Sequence, residues 1–248
     1  MPTPFTHLET AQRFVCDEQL PPDVRQFLKD QASAFLLGSI AADAKPSAGG
    51  ERASTHFYAY DRPISESPWR VMLRHYPALQ QASTPAQRVF LAGYVGHLAI
   101  DEYWTMNMLG PHIAFSQWGE SRRFRFYVLH LLLAYMDERD LARLESWIPH
   151  TLAAAGPQQW TPFLDDSALI SWRDMIYEQI KPGGVSQTLD IMSARVGKNA
   201  AEMRRDLDAR ATLQAYLWDN ITPSTLAQIE AAMYTHARDQ LLAYWREY

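Results

Sequence analysis

Residues 85–109 carry apolar side chains on several faces of any helix they could form, and this constrains the fold more than any other stretch. A helix without a polar face cannot lie on a surface; other elements must wrap it. Its start is marked by Ser83-Thr84-Pro85, with Pro at the first helical position. Gly110-Pro111 predicts its end. The small residues Ala92, Gly93, Gly96 and Ala99 let neighbouring backbones come close. With 248 residues, 47% of them hydrophobic, the chain is long enough for one sizeable core or two small domains. Eight Trp, twelve Tyr and ten Phe leave little room for disorder.

The remainder also reads as helix. Thr6 and Glu9 have capping-box spacing, which predicts a helix starting near His7. Residues 23–37 have helical period and end near Gly38, and the Gly/Ser/Pro-rich stretch 45–54 reads as a loop. Helices are expected at 120–136, 141–147, 168–180, 186–196, 200–221 and 223–247; in the last, Leu226, Ile229, Met233 and Leu241 share one side. The turn formers of 153–166 mark a linker between a metal-binding helical domain (1–152) and a C-terminal helical extension packed on it (153–248). No alternating β-branched run argues for a sheet. The expected class is an all-α, multi-helix globular bundle.

Composition excludes several functions. A formal charge of −5 gives no general attraction to nucleic acid. Arg122, Arg123 and Arg125 form the one conspicuous basic cluster, read as a solvated helix face rather than a phosphate-facing patch. Cys16 is the only cysteine, so no intrachain disulfide is available. The first residues lack a basic and an apolar signal region, and the apolar run 126–136 is too short for a bilayer. The expected location is the cytoplasm. No Gly-rich phosphate loop, nucleophile elbow or Cys-x-x-Cys occurs.

Chemistry concentrates in His97-Leu-Ala-Ile-Asp101, whose His and Asp are four residues apart and share a helix face. Imidazole and carboxylate so placed can grip a divalent cation, or simply hydrogen-bond to each other across a polar cavity. His7, Asp43 and His56 stand upstream; His56 alone would read as a buried histidine beside Phe57 and Tyr58. The stretches Thr6-His7, Gly38-Ser39-Ile40-Ala41-Ala42-Asp43, Thr55-His56-Phe57-Tyr58 and Gly93-Tyr94-Val95-Gly96-His97-Leu98-Ala99-Ile100-Asp101, in that order, resemble the zinc-dependent phospholipase C family. Single-strand-specific zinc nucleases are its more distant relatives. The resemblance spans residues 6–101, less than half the chain.

The resemblance implies the all-α bundle of that family and one or two zinc ions. Asp43, His56, His97 and Asp101 would hold one, and His7 would share Asp101 around a second. It implies hydrolysis of a small-molecule or lipid-derived phosphoester, metal-activated hydroxide attacking phosphorus, with Asp43 and Asp101 as the catalytic carboxylates. His112 and His130 stand nearest to the family's third-zinc ligands. However, Ala134 lies four residues after His130, and Asp137 is two turns away, about 10 Å along the axis, so a third ion is not expected. Secreted members also use a processed N-terminal residue, for which no cleavage signal precedes His7. Phe57, Tyr58, Tyr94, Tyr103 and Trp104 are read as core packing or as the lining for an apolar or choline-like group. The competing reading is a non-catalytic or degenerate helical metal-binding or interaction protein.

Overall fold

The structure is a computed structural model that describes residues 1–45 and 49–248; of the loop expected at 45–54, residues 46–48 lie outside it. In chain order the α-helices are α1 (Pro4–Cys16), α2 (Pro22–Asp30), α3 (Ala32–Ala41), α4 (Ala53–His56), α5 (Pro68–His75), α6 (Pro85–Trp104) and α7 (Arg122–Leu141). They continue with α8 (Ile148–Ala153), α9 (Asp166–Ile180), α10 (Thr188–Arg195), α11 (Ala200–Asp208), α12 (Arg210–Leu213) and α13 (Pro223–Glu247). No strand forms among the described residues, and the fold is an all-α, multi-helix bundle. None of these helices is long and apolar enough to cross a membrane.

Helix α6 is the axis. Thr84 caps it by accepting from the Gln87 amide, and residues 89–102 are all buried. It lies between α3 on one side and α13 on the other. Two glycines set the α3–α6 distance. A Cβ on Gly38 would fall 2.0 Å from the Phe90 carbonyl oxygen, and one on Gly93 would fall 2.4 Å from that of Phe35. No larger residue fits either position without moving a backbone. Gly38 therefore lies inside α3 rather than ending it, and α3 runs on to Ala41.

Several boundaries differ from the sequence expectation, each for a local reason. α1 begins at Pro4 with Thr3 at the N-cap position; the Thr6 hydroxyl is not a cap but donates to Asp140 (2.7 Å). The helix expected at 23–37 breaks at Gln31, where ψ turns to 33°. Gly110-Pro111 does not stop α6. The chain widens into a π-helix, Thr105–Ala114, and the longer i→i+5 ring accommodates a proline that an α-helix would expel. Arg125 closes that segment, donating to the carbonyls of Ile113 (2.8 Å) and Trp118 (3.1 Å), so it is a buried cap and not part of a solvated face. Residues 142–147 form two turns joined by an irregular stretch, and the short helix starts at Ile148 next to Pro149. The helix expected at 200–221 is interrupted at Ala209 and ends in a second π turn, Gln214–Trp218. Within 153–166, Trp160 and Leu164 enter the core, and Gln87 donates to the Trp160 carbonyl (3.0 Å).

Candidate metal centre

The fold brings His7, Asp43, His56, His97 and Asp101 together. His7 comes from the first turns of α1 and Asp43 from the turn after α3. His56 is the last residue of α4, and His97 and Asp101 lie one turn apart on α6. Asp101 is at the centre, fully buried. Its oxygens lie 3.5 Å from His7 Nε2, 3.4 Å from His56 Nε2 and 3.7 Å from His97 Nε2; Asp43 Oδ1 is 3.4 Å from His56 Nε2. The rings of His7 and His97 stack at 3.8 Å. Two triads result, His7–His97–Asp101 and Asp43–His56–His97, each with ligand atoms within 4.8 Å of one another. His97 is common to both triads, whereas the family resemblance implied sharing through Asp101.

The rings of His97 and His56 are oriented from behind, whereas His7 Nδ1 has no hydrogen-bond partner among the described residues. His97 Nδ1 lies 2.8 Å from the Ser39 carbonyl oxygen, which can only accept, so Nδ1 carries the proton and Nε2 turns a lone pair inward. The close α3–α6 approach is what brings Ser39 within reach. For His56, the Thr55 hydroxyl donates to the Arg52 carbonyl (3.2 Å), which leaves its oxygen to accept from His56 Nδ1 at 3.0 Å. Again Nε2 is turned inward. The Tyr94 hydroxyl donates to the Thr55 carbonyl (2.7 Å) and ties α4 to α6.

Nε2 of all three histidines and Oδ1 of Asp101 are buried with no hydrogen-bond partner among the described residues. That arrangement is costly unless something else satisfies them. Their separations of 3.4–3.7 Å are long for hydrogen bonds between these groups. They approach the ligand–ligand edge of a tetrahedral zinc site, about 3.4 Å for metal–ligand bonds of about 2.1 Å. The donor set of imidazole and carboxylate is also one that zinc accepts. The residues present therefore fit a zinc-like cation.

The charge states of His7, Asp101 and Asp43 suit metal ligands. Burial, with His97 beside it, lowers the His7 pKa to about 4, leaving the ring neutral as a ligand must be. Burial pushes the Asp101 carboxyl up, but the imidazoles of His56, His7 and His97 outweigh it and hold the group well below the ordinary range. At Asp43 burial is likewise outweighed by His56 and His97, and the pKa is lowered. Burial lowers the His56 pKa less than the two carboxylates raise it.

Arg52, which no sequence pattern marked, completes the centre. It donates to Asp101 Oδ2 (2.7 Å) and to the Tyr58 hydroxyl (3.1 Å), with its guanidinium 4.8 Å from the ring centroids of both Tyr58 and Tyr60. Its Nη1 is buried without a partner among the described residues. Burial works against the charge, and the Asp101 carboxylate outweighs it, raising the pKa.

Asp43 and Arg52 stand on the wall of a cavity of about 1410 Å³ whose lining is mainly apolar, including Leu129, Leu133, Ile176 and Met192. The aromatics picked out in sequence are not its lining. Trp104 and Tyr94 are core, Phe57 packs against Tyr76 and Phe163, and Tyr103 lies against His236. Phe5, Tyr60, Phe115, Phe126 and Trp172 line it instead. His112 and His130 do not join the centre. His130 faces the cavity with Nδ1 on the Phe126 carbonyl (2.6 Å), and the main-chain carbonyl of His112 accepts from Trp118 Nε1 (2.6 Å). No third ligand group forms around either among the described residues. Glu102 faces His236 (3.1 Å) on the far side of α6.

No family model, curated protein or solved structure matches this chain.

Proposed function

We propose that the chain is a zinc-dependent hydrolase of a small or lipid-derived phosphoester, similar in kind to the zinc-dependent phospholipases C. The observation that carries this reading is the set of orphaned, inward-turned Nε2 atoms around Asp101, placed beside a large apolar cavity. His7, His56, His97, Asp43 and Asp101 would hold one or two ions. Such a cation polarises a phosphoryl oxygen and brings the pKa of water close to neutral. The chain's own groups supply the rest. Ser39 and Thr55 fix the imidazoles of His97 and His56, Arg52 sets a permanent positive charge where an anionic ester would lie, and the apolar walls receive a hydrocarbon part and exclude water. Asp43 and Asp101 are the carboxylates nearest the reacting group in this reading.

The rival is a metal-binding or interaction protein without catalysis. Structural zinc sites are closed by protein ligands, whereas this centre borders an open cavity, which favours the enzyme. The charge of −5 disfavours long nucleic acid as substrate. The single free Cys16 suits a reducing compartment, and the cytoplasm is the proposed location.

The test is metal analysis of protein purified without chelator, followed by zinc-reconstituted assays on phosphatidylcholine, bis-p-nitrophenyl phosphate, p-nitrophenyl phosphate and single-stranded DNA. Wild type should carry one or two ions and H97A/D101A none, and a lipid or small phosphoester should turn over. Unchanged metal content in the double variant would refute the site. Turnover of DNA alone would refute the substrate class, and metal without turnover would leave the binding protein.

A further inference from the structure

The exposed part of the cavity lining is built from two kinds of residue, large apolar and basic. Phe115 is 83% exposed, Met106 53% and Tyr60 52%, and Ile191 is also exposed; all four line the same cavity. They come from three separate places: the π segment and the residue that caps it, the loop after α4, and α10. Large apolar side chains exposed around one cavity mark a binding surface, whereas scattered ones do not.

Lys45, Arg62, Arg122 and Arg195 are exposed and line the same cavity. Asp61 is the one exposed carboxylate in that lining, and it faces Arg62 at 3.6 Å. Arg122 and Arg195 have no carboxylate within ion-pair distance among the described residues. A chain of net charge −5 thus carries a positive, apolar-tipped exposed surface around this cavity.

We propose that this rim seats the protein on an anionic lipid bilayer, with Phe115, Met106, Tyr60 and Ile191 entering the headgroup–acyl boundary and the basic residues meeting lipid phosphates. Basic charge with exposed aliphatic and aromatic groups is the composition of an interfacial membrane surface. A nucleic-acid surface would not need Phe115 and Met106 free in solvent. A second copy placed face to face would bring two positive rims together, and like charges at that range repel. The negative remainder of the molecule is repelled by an anionic bilayer, which leaves this face as the one that can approach. Seating is independent of the metal, so it stands or falls apart from the hydrolase reading.

The test is co-sedimentation with phosphatidylcholine vesicles, with and without phosphatidylglycerol, in chelator and at low and high salt. Wild type should bind the phosphatidylglycerol vesicles and release as salt rises. R122E/R195E and, separately, M106S/F115S should each lower partitioning by about tenfold or more, while R246E on α13, away from the rim, should not. All these positions are exposed, so unchanged far-ultraviolet dichroism is expected. The proposal is overturned by absence of wild-type binding, or by binding that neither double variant weakens. It is also overturned by a dimer that M106S/F115S abolishes without any vesicle binding, or by tighter retention of single-stranded DNA than of vesicles. Vesicle binding without zinc-dependent turnover would remove the hydrolase reading and leave this one standing.

Discussion

Asp137 of α7 is buried, with its two oxygens taken by the hydroxyls of Thr3 and Thr188. Burial pushes its carboxyl up to about 7, against the pull of the two threonines, with Asp140 and Glu138 adding repulsion. The folded chain therefore holds a proton that the unfolded chain has already released. The stability due to this group is complete below about pH 4 and is lost as pH rises through about 7. Asp137→Asn keeps two hydroxyl partners and cannot ionise. The stability of D137N relative to wild type should grow from about pH 4 to about pH 7 and level off above it, reaching on the order of a few kcal/mol. Thermal melts showing the same difference at every pH would contradict this. Arg52 is the permanently charged neighbour of Asp101, and its role is argued from the proposed chemistry. Arg52→Gln should retain wild-type metal content yet lose about tenfold or more in kcat/KM on the phosphoester, with Arg52→Lys between them. At this scale the sequence was unevenly legible. His97 and Asp101 follow from helical period alone. Asp43 and His56 emerge only through family resemblance, because their neighbours are set by tertiary packing. Arg52 sits in a polar loop with its partner 49 residues away, and no local pattern reports that distance.

Among the elements, the α3–α6 contact decides most. Gly93→Ala would place a methyl 2.4 Å from a carbonyl oxygen, so a helix must move. The expected cost is roughly 2–4 kcal/mol in urea unfolding. The same movement draws Ser39 from His97, so zinc affinity should fall with stability. Gly96→Ala is the control. The nearest atom to its Cβ is a Phe14 ring carbon at 3.8 Å, and the change should be within about 1 kcal/mol of neutral. Identical losses in both variants would show that helix spacing is not the cause. The central helix was readable because a segment apolar all round has one solution. Its end was not, since Gly-Pro ends α-helices but does not forbid a π turn closed by Arg125. In sequence Gly38 has the look of a terminator, because the sequence does not reveal that the Phe90 backbone presses on it.

Across the whole molecule, α13 covers the side of α6 opposite α3, with Leu226, Ile229, Met233, Leu241 and Tyr244 buried. Trp69 donates to Gln240 (2.7 Å) and Arg88 to the Trp245 carbonyl (3.0 Å), so the last helix is fastened to α5 and α6. A chain cut after residue 222 would lose about 10 kcal/mol of apolar burial, comparable to the net stability of a typical domain. It should be soluble poorly if at all, with no cooperative melt. A cooperative melt from the shortened chain would show that residues 1–222 fold without α13. The amphipathic face of α13 was plain in the sequence, but not where it docks.

The candidate ligands are spread along the chain, His7 and Asp101 being 94 residues apart and lodged in different helices. A compact chelating loop can capture an ion while still unfolded and use it as a nucleus. Here, closing so long a loop around an ion would have to precede the packing that makes it favourable. For a chain that holds the proposed ion, capture would therefore be a late event, following the docking of α1 and α3 on α6. Refolding with and without zinc should proceed at the same rate, with the ion acting only on the rate of unfolding.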